Sequence, residues 1–152
     1  MLPTPKKFTL VAGGAEGPSL LNAFDNALLV AGVGNLNLIK VSSILPPGAQ
    51  EVEVLDVPPG SLLPIAYGSA VSDEPGTRVA AAVAVGLSPD TFGVIMEYGG
   101  RCTKEEAEAE VRRRVEEAFK HRGLPLVGIR SIAAEHVVER AGCAFAGCAL
   151  WY

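Results

Sequence analysis

Turn-forming residues divide this chain into short apolar segments, and only two of those segments carry helical periodicity. Glycines and prolines cluster at Gly13-Gly14, Gly17-Pro18, Pro46-Pro47-Gly48, Pro58-Pro59-Gly60, Pro75-Gly76 and Gly99-Gly100. Between these clusters, β-branched and alternating runs predict strands over residues 8–11, 35–44, 51–57, 62–72, 77–87, 92–98, 126–138 and 143–151. The first helix is expected over 20–31, capped by Ser19, with Leu21, Phe24, Leu28 and Ala31 as its buried stripe and Asp25 and Asn26 beside it. The second spans 103–122. Thr103 and Glu106 form a capping box, acidic residues crowd its first turns, and basic ones crowd its last. Its apolar face is Ala107, Val111, Val115, Ala118 and Phe119, and Gly123 ends it. Strand, helix, several strands, helix and two strands is the order of an α+β fold, with helices on mostly antiparallel sheet. No linker or repeat divides residues 1–152, so one domain is expected.

Composition removes several function classes. The net charge is −4 and no basic patch is built, which argues against nucleic acid as a partner. Three cysteines, Cys102, Cys143 and Cys148, lack paired spacing for a disulfide framework or a zinc site. They read as reduced thiols of a cytoplasmic protein. Residues 1–7 contain no apolar signal core, and no run approaches a membrane span, so no membrane partner is expected. Only 20% of the residues are charged, and Ala and Gly are plentiful, a surface suited to self-association.

Four places hold residues capable of chemistry. Val41-Ser42-Ser43-Ile44 lies at a strand end before a proline turn. It is either ordinary punctuation or, if its backbone is strained, a site where a serine hydroxyl attacks the preceding carbonyl. Glu97, in Ile95-Met96-Glu97-Tyr98, follows a buried run. It is either a solvated strand-end carboxylate or one kept protonated by desolvation and able to donate a proton. Asp25 is either a solvated helix residue or an anionic seat for a guanidinium. Gly32-Val33-Gly34-Asn35 follows a helix and precedes a strand, the reverse of a dinucleotide-binding turn. It reads as a helix end, and Asn37 beyond it could donate to an oxyanion formed when Ser43 attacks. His121 and His136 lack Ser or Cys partners at motif spacing, and His136 reads as a structural histidine. Nothing resembles a phosphate cup for pyridoxal phosphate, and Lys40 is the one lysine near a suggestive segment.

Taken together, these segments resemble the pyruvoyl-dependent arginine decarboxylases over almost the whole chain. The likeness runs through Leu10-Val11-Ala12-Gly13, Leu21-Asn22-Ala23-Phe24-Asp25, Gly34-Asn35-Leu36-Asn37-Leu38, Ser42-Ser43-Ile44-Leu45-Pro46-Pro47, Ala66-Tyr67-Gly68, Ile95-Met96-Glu97-Tyr98 and Gly142-Cys143-Ala144-Phe145-Ala146. The stretch 48–58 departs more and carries no assigned role.

The resemblance implies a four-layer αββα sandwich assembled as a homotrimer, with active sites between subunits. It implies self-cleavage between Ser42 and Ser43 into 1–42 (the β chain) and 43–152 (the α chain), with Ser43 becoming a pyruvoyl group and no metal or pyridoxal phosphate required. It makes Ser43 and Glu97 catalytic, ties Asn37 to processing, and places Asp25, Gly34, Leu36, Ser42 and Ile44 at the substrate. The expected reaction is decarboxylation of L-arginine to agmatine and CO2 through a Schiff base with the pyruvoyl ketone. Two alternatives remain open at this point: a pyruvoyl decarboxylase of another amino acid, and an uncleaved, non-catalytic relative acting as a binding or assembly protein.

Overall fold

The computed structural model describes residues 2–152. In chain order the elements are β1 (Lys7–Glu16), α1 (Leu20–Ala31), β2 (Asn37–Lys40), β3 (Ile44–Leu45), β4 (Gln50–Glu51), β5 (Leu62–Ser72), β6 (Arg78–Leu87), β7 (Gly93–Gly100), α2 (Lys104–Arg122), β8 (Gly128–Val137) and β9 (Gly142–Trp151). They build a five-stranded sheet, β2-β5-β9-β1-β4, and a four-stranded sheet, β3-β7-β6-β8. Most pairings are antiparallel; β1 with β4 and β2 with β5 are parallel.

Strand alternation sorts the apolar side chains into three layers of core. Val79, Ala81, Val83 and Val85 of β6 meet Ala144, Ala146, Cys148 and Leu150 of β9 between the sheets. The intervening residues of β9, Cys143, Phe145 and Ala149, pack under α1 with Ala23, Ala27 and Leu28. Ala80, Ala82 and Ala84 of β6 pack under α2 with Ala107, Val111, Val115 and Phe119. The order α1, sheet, sheet, α2 is the αββα sandwich expected from the resemblance. The Thr103–Glu106 capping box is formed in full, and such a cap typically contributes about 1 kcal/mol.

Several elements differ from the sequence pattern. Gly13 and Gly14 lie inside β1 instead of ending it. A Cβ on Gly13 would sit 2.7 Å from the Ala27 carbonyl of α1, so that glycine serves close packing and not a turn. Of the expected stripe of α1, Leu28 is buried and Phe24 and Ala31 pack beside it with Ala23 and Ala27, whereas Leu21 is 77% exposed. Of residues 51–57, only Glu51 belongs to a strand, the short β4; Val52 N–H still donates to Phe8 O of β1, and Val54 is exposed. The expected strand 35–44 is two strands in different sheets.

Glu16, at the end of β1, fills the turn between β8 and β9. Its Oε1 lies 2.7 Å from His136 Nε2, and its Oε2 accepts from the backbone N–H groups of Glu139, Arg140 and Ala141. His136 is thereby the structural histidine expected of it. The His136 contact, followed by the backbone N–H donors of 139–141, outweighs partial desolvation and holds the Glu16 carboxyl down at about 2, against 4.5 for an ordinary glutamate. A depressed carboxyl contributes stability that is complete above the unfolded value and is lost as pH falls through the folded one. Glu16→Gln is therefore expected to lower Tm at pH 7. It should also flatten the decline of Tm between about 4.5 and about 2, measured by thermal melts across that window.

Candidate active site

The site begins where the chain crosses between sheets. β2 ends at Lys40, paired with Ile65 of β5. β3 begins at Ile44, paired with Val94 of β7. Residues 41–43 span the gap and are held at both ends. Val41 N–H donates to Ile65 O at 3.0 Å in one sheet, and Ser43 O accepts from Ile95 N–H at 2.7 Å in the other. The Ser42-Ser43 peptide thus lies between two main-chain anchors in separate layers. Among the described residues no non-glycine φ is positive, so the constraint is this anchorage and not a left-handed residue. Ser42 is exposed, Ser43 is half-buried and Ile44 is exposed beside them.

Two glycines let the sheets close on this edge. A Cβ on Gly68 of β5 would lie 2.9 Å from Tyr98 O, and one on Gly99 of β7 would overlap the main chain of Ser69. Side chains at either position would wedge β5 away from β7.

Glu97 stands on the strand that holds Ser43. It pairs with Val83, and its neighbour two residues back, Ile95, pairs with Val85. Both valines and Ile95 face the space between the sheets, so alternation puts the Glu97 carboxyl on that inner face. Burial pushes its carboxyl above the ordinary glutamate value, against the opposing charges of Lys40 and Arg114. Lys40 Nζ lies 4.6 Å from the Tyr67 ring centroid. Arg114 Nη1 donates to Glu97 O at 3.1 Å.

The remaining predicted residues are placed elsewhere. Asn37 opens β2, and its Nδ2 donates to Gly60 O at 2.8 Å, tying down the 58–61 turn. That contact uses one of its two amide N–H groups. Gly34 and Leu36 line a cavity of about 350 Å³ with Val33, Leu55, Val57 and Leu63. Neither Asp25 nor Ser42, Ser43 or Glu97 lines that cavity. Asp25 is exposed on α1 and forms no ion pair or hydrogen bond among the described residues. One chain therefore brings Ser42, Ser43, Ile44 and Glu97 together, groups Gly34 with Leu36, and leaves Asp25 apart. Lys40 and Arg114 were not predicted as part of this surrounding. The Glu110–Arg114 spacing is legible as an i,i+4 pair, but nothing in it points to Glu97.

Among the described residues no group of three or more His, Cys, Asp or Glu side chains is arranged to hold a metal ion. No helix among them is long and apolar enough to cross a membrane. Cys143 is buried with its thiol pushed up to about 12 by desolvation, and Cys148 is shifted in the same direction. Neither is a nucleophile at neutral pH.

A family profile described as pyruvoyl-dependent arginine decarboxylase matches residues 7–151. A protein of that name from Methanocaldococcus jannaschii is 52% identical over 150 residues, covering 97% of this chain and 91% of its own length. One from Pyrococcus abyssi is 51% identical over 139 residues, covering 90% and 88%. One from Methanococcus maripaludis is 47% identical over 150 residues, covering 97% and 92%.

Proposed function

This chain belongs to the pyruvoyl-dependent arginine decarboxylase family, and from that premise we propose that the bond it cuts is Ser42-Ser43, leaving 1–42 and 43–152 associated as two chains. It is a lyase that converts L-arginine to agmatine and CO2 using a pyruvoyl group. The observation that carries the assignment of the bond is the crossing itself: a serine pair strung between two sheets, with Glu97 on the strand that anchors Ser43.

The processing chemistry follows from the residues at hand. Ser43 Oγ attacks the Ser42 carbonyl carbon, and the peptide bond is exchanged for an ester. Abstraction of the Ser43 α-proton expels Ser42 as a carboxylate and leaves dehydroalanine. Its imine tautomer takes up water and releases ammonia, so the new terminus is a ketone. Asn37 is the residue we tie to this step, as the family resemblance implies; its own contact is with Gly60 O. The Ile95 anchor on Ser43 O fixes the new terminus against β7 throughout.

A pyruvoyl group supplies the electron sink that α-decarboxylation needs. The chain's own groups do the rest. Glu97, whose carboxyl burial shifts above the ordinary glutamate value against Lys40 and Arg114, returns a proton to the substrate α-carbon. Asp25 receives the guanidinium, with Gly34, Leu36, Ser42 and Ile44 beside the substrate. Because Asp25 stands apart from Ser43 within one chain, we assign the complete pocket to a boundary between subunits of a homotrimer. The exposed Leu21, Leu29 and Val30 on α1 next to Asp25 are the apolar surface such an assembly would cover.

A CO2-release panel over cationic, neutral and acidic amino acids tests the substrate. Arginine should be strongly preferred, because an unpaired carboxylate disfavours ligands without a cationic tail. Asp25→Asn should raise KM for arginine about tenfold or more, from loss of a charge-assisted fork, with a smaller change in kcat. Flat arginine kinetics in that variant would remove Asp25 from the pocket.

A further inference from the structure

We propose that Arg114 is a positioning residue for Glu97, clamping the β7 main chain at that residue from α2. The proposal rests on Glu97 being the proton donor. It starts from the length of β3. That strand has only two residues, and its pairing with β7 covers Gly93 and Val94. Ser43 O then takes the N–H of Ile95 on the same edge. In a strand the N–H and C=O of one residue point to the same side, and residues two apart repeat that side. The Glu97 carbonyl therefore faces the edge that β3 has already left, while Val83 of β6 lies on the other side. A main-chain carbonyl in a partly buried strand needs a partner.

Arg114 supplies one. Its Nη1 donates to Glu97 O at 3.1 Å, its Nε to Glu110 Oε1 at 3.0 Å, and its guanidinium carbon lies 5.0 Å from the Tyr98 ring centroid. Three fixed contacts on one planar group define where β7 sits relative to α2. One edge of β7 is thus held at Ile95 by Ser43 and at Glu97 by Arg114. The residue that is cut and the residue that donates the proton are kept in register by adjacent contacts.

Proton transfer needs donor and carbon within hydrogen-bonding reach, so a β7 edge that frays at Glu97 loses turnover while substrate affinity is kept. Lysine cannot reproduce the fork, because its ammonium has no planar pair of donors to reach Glu97 O and Glu110 together. The charged groups acting on Glu97 are Lys40 from β2 and Arg114 from α2. The inward positions of β6 are valine and alanine, and on β5 Tyr67 carries the Lys40 ammonium on its ring.

The test compares Arg114→Met and Arg114→Lys with wild type, in the processed enzyme and in the uncleaved Ser43→Ala background. Arg114→Met should still yield two fragments. Its kcat should fall roughly tenfold or more, as misplacement of a reacting group does, with KM for arginine within about threefold. In the Ser43→Ala background, the Glu97 carboxyl is followed by 13C NMR of labelled glutamate, with Glu97→Gln identifying its signal. That titration should move to higher pH in Arg114→Met, because one of two opposing cations is gone. Arg114→Lys keeps the charge and should restore the titration while recovering kcat only in part. Unchanged kcat and titration in Arg114→Met overturn the proposal, as does a loss of kcat that tracks a lower Tm with no change in titration. If Arg114→Met does not fold, Arg114→Lys decides: reduced kcat supports the clamp and full kcat overturns it. Full turnover in Glu97→Gln would instead reject the proton-donor assignment, a result separable from a silent Arg114.

Discussion

Ser43→Ala is expected to run as a single chain of 15.8 kDa, while the wild-type protein separates under denaturing conditions into fragments 1–42 and 43–152. On the proposed chemistry the effect is all-or-none, because the attacking oxygen would be the side chain removed. The anchors on either side remain: Val41 N–H still reaches Ile65 O and Ser43 O still accepts from Ile95. The variant should therefore fold and assemble like the precursor, and it should be inactive for want of the ketone. Borohydride or a hydrazine should label the amino terminus of the 43–152 fragment in wild type and leave Ser43→Ala unlabelled. Full-length, unlabelled wild-type protein that still releases CO2 from arginine would end the self-processing assignment.

Glu97→Gln should cleave normally and lose about 10²–10⁴-fold in kcat, the range spanned by general acid–base groups. On the proposed chemistry cleavage is spared, because the exchange at Ser42-Ser43 would run on the Ser43 hydroxyl, and Ile95, not Glu97, holds the Ser43 carbonyl. The pH dependence has a definite sign. Burial raises the Glu97 carboxyl, and Lys40 and Arg114 oppose that rise. Acting as a donor, Glu97 works in its protonated form, so wild-type kcat should fall as pH rises through the elevated value. Glutamine has no proton to lose, and the residual kcat of Glu97→Gln should lack that limb. A limb that persists unchanged in the variant would assign it to another group.

The two effects are separable because the crossing and the Glu97 carboxyl, though carried by adjacent strands, answer to different parts of the chain. Ser42-Ser43 depends on a parallel contact with β5 and an antiparallel contact with β7. The Glu97 environment depends on which face of β7 looks inward and on what lies past the end of β3.

Much of this was legible in the amino-acid order. The α2 helix, its capping box and its buried face follow from a 3.6-residue period and local hydrogen bonding, and all are found as expected. The limits of α1 and β5 were equally readable, because caps and turns act over a few residues. The serine pair and Glu97 stood out through their flanking motifs. Other features were set only when distant segments met. Period-two alternation identifies a strand without saying which sheet receives it, so 35–44 looked continuous although its halves belong to different layers. Helical periodicity identified the stripe on α1, and Phe24, Leu28 and Ala31 of it pack under the sheet, but Leu21 is exposed and Ala23 and Ala27 are buried, Ala27 next to Gly13. Beyond its i,i+4 spacing from Glu110, Arg114 had no local signature pointing to Glu97, since the carbonyl it meets is one that a neighbouring strand is too short to reach. Local propensities act along the chain and can be read there; register, sheet membership and unpaired edges depend on contacts between residues far apart in sequence, and these exist only in the folded molecule.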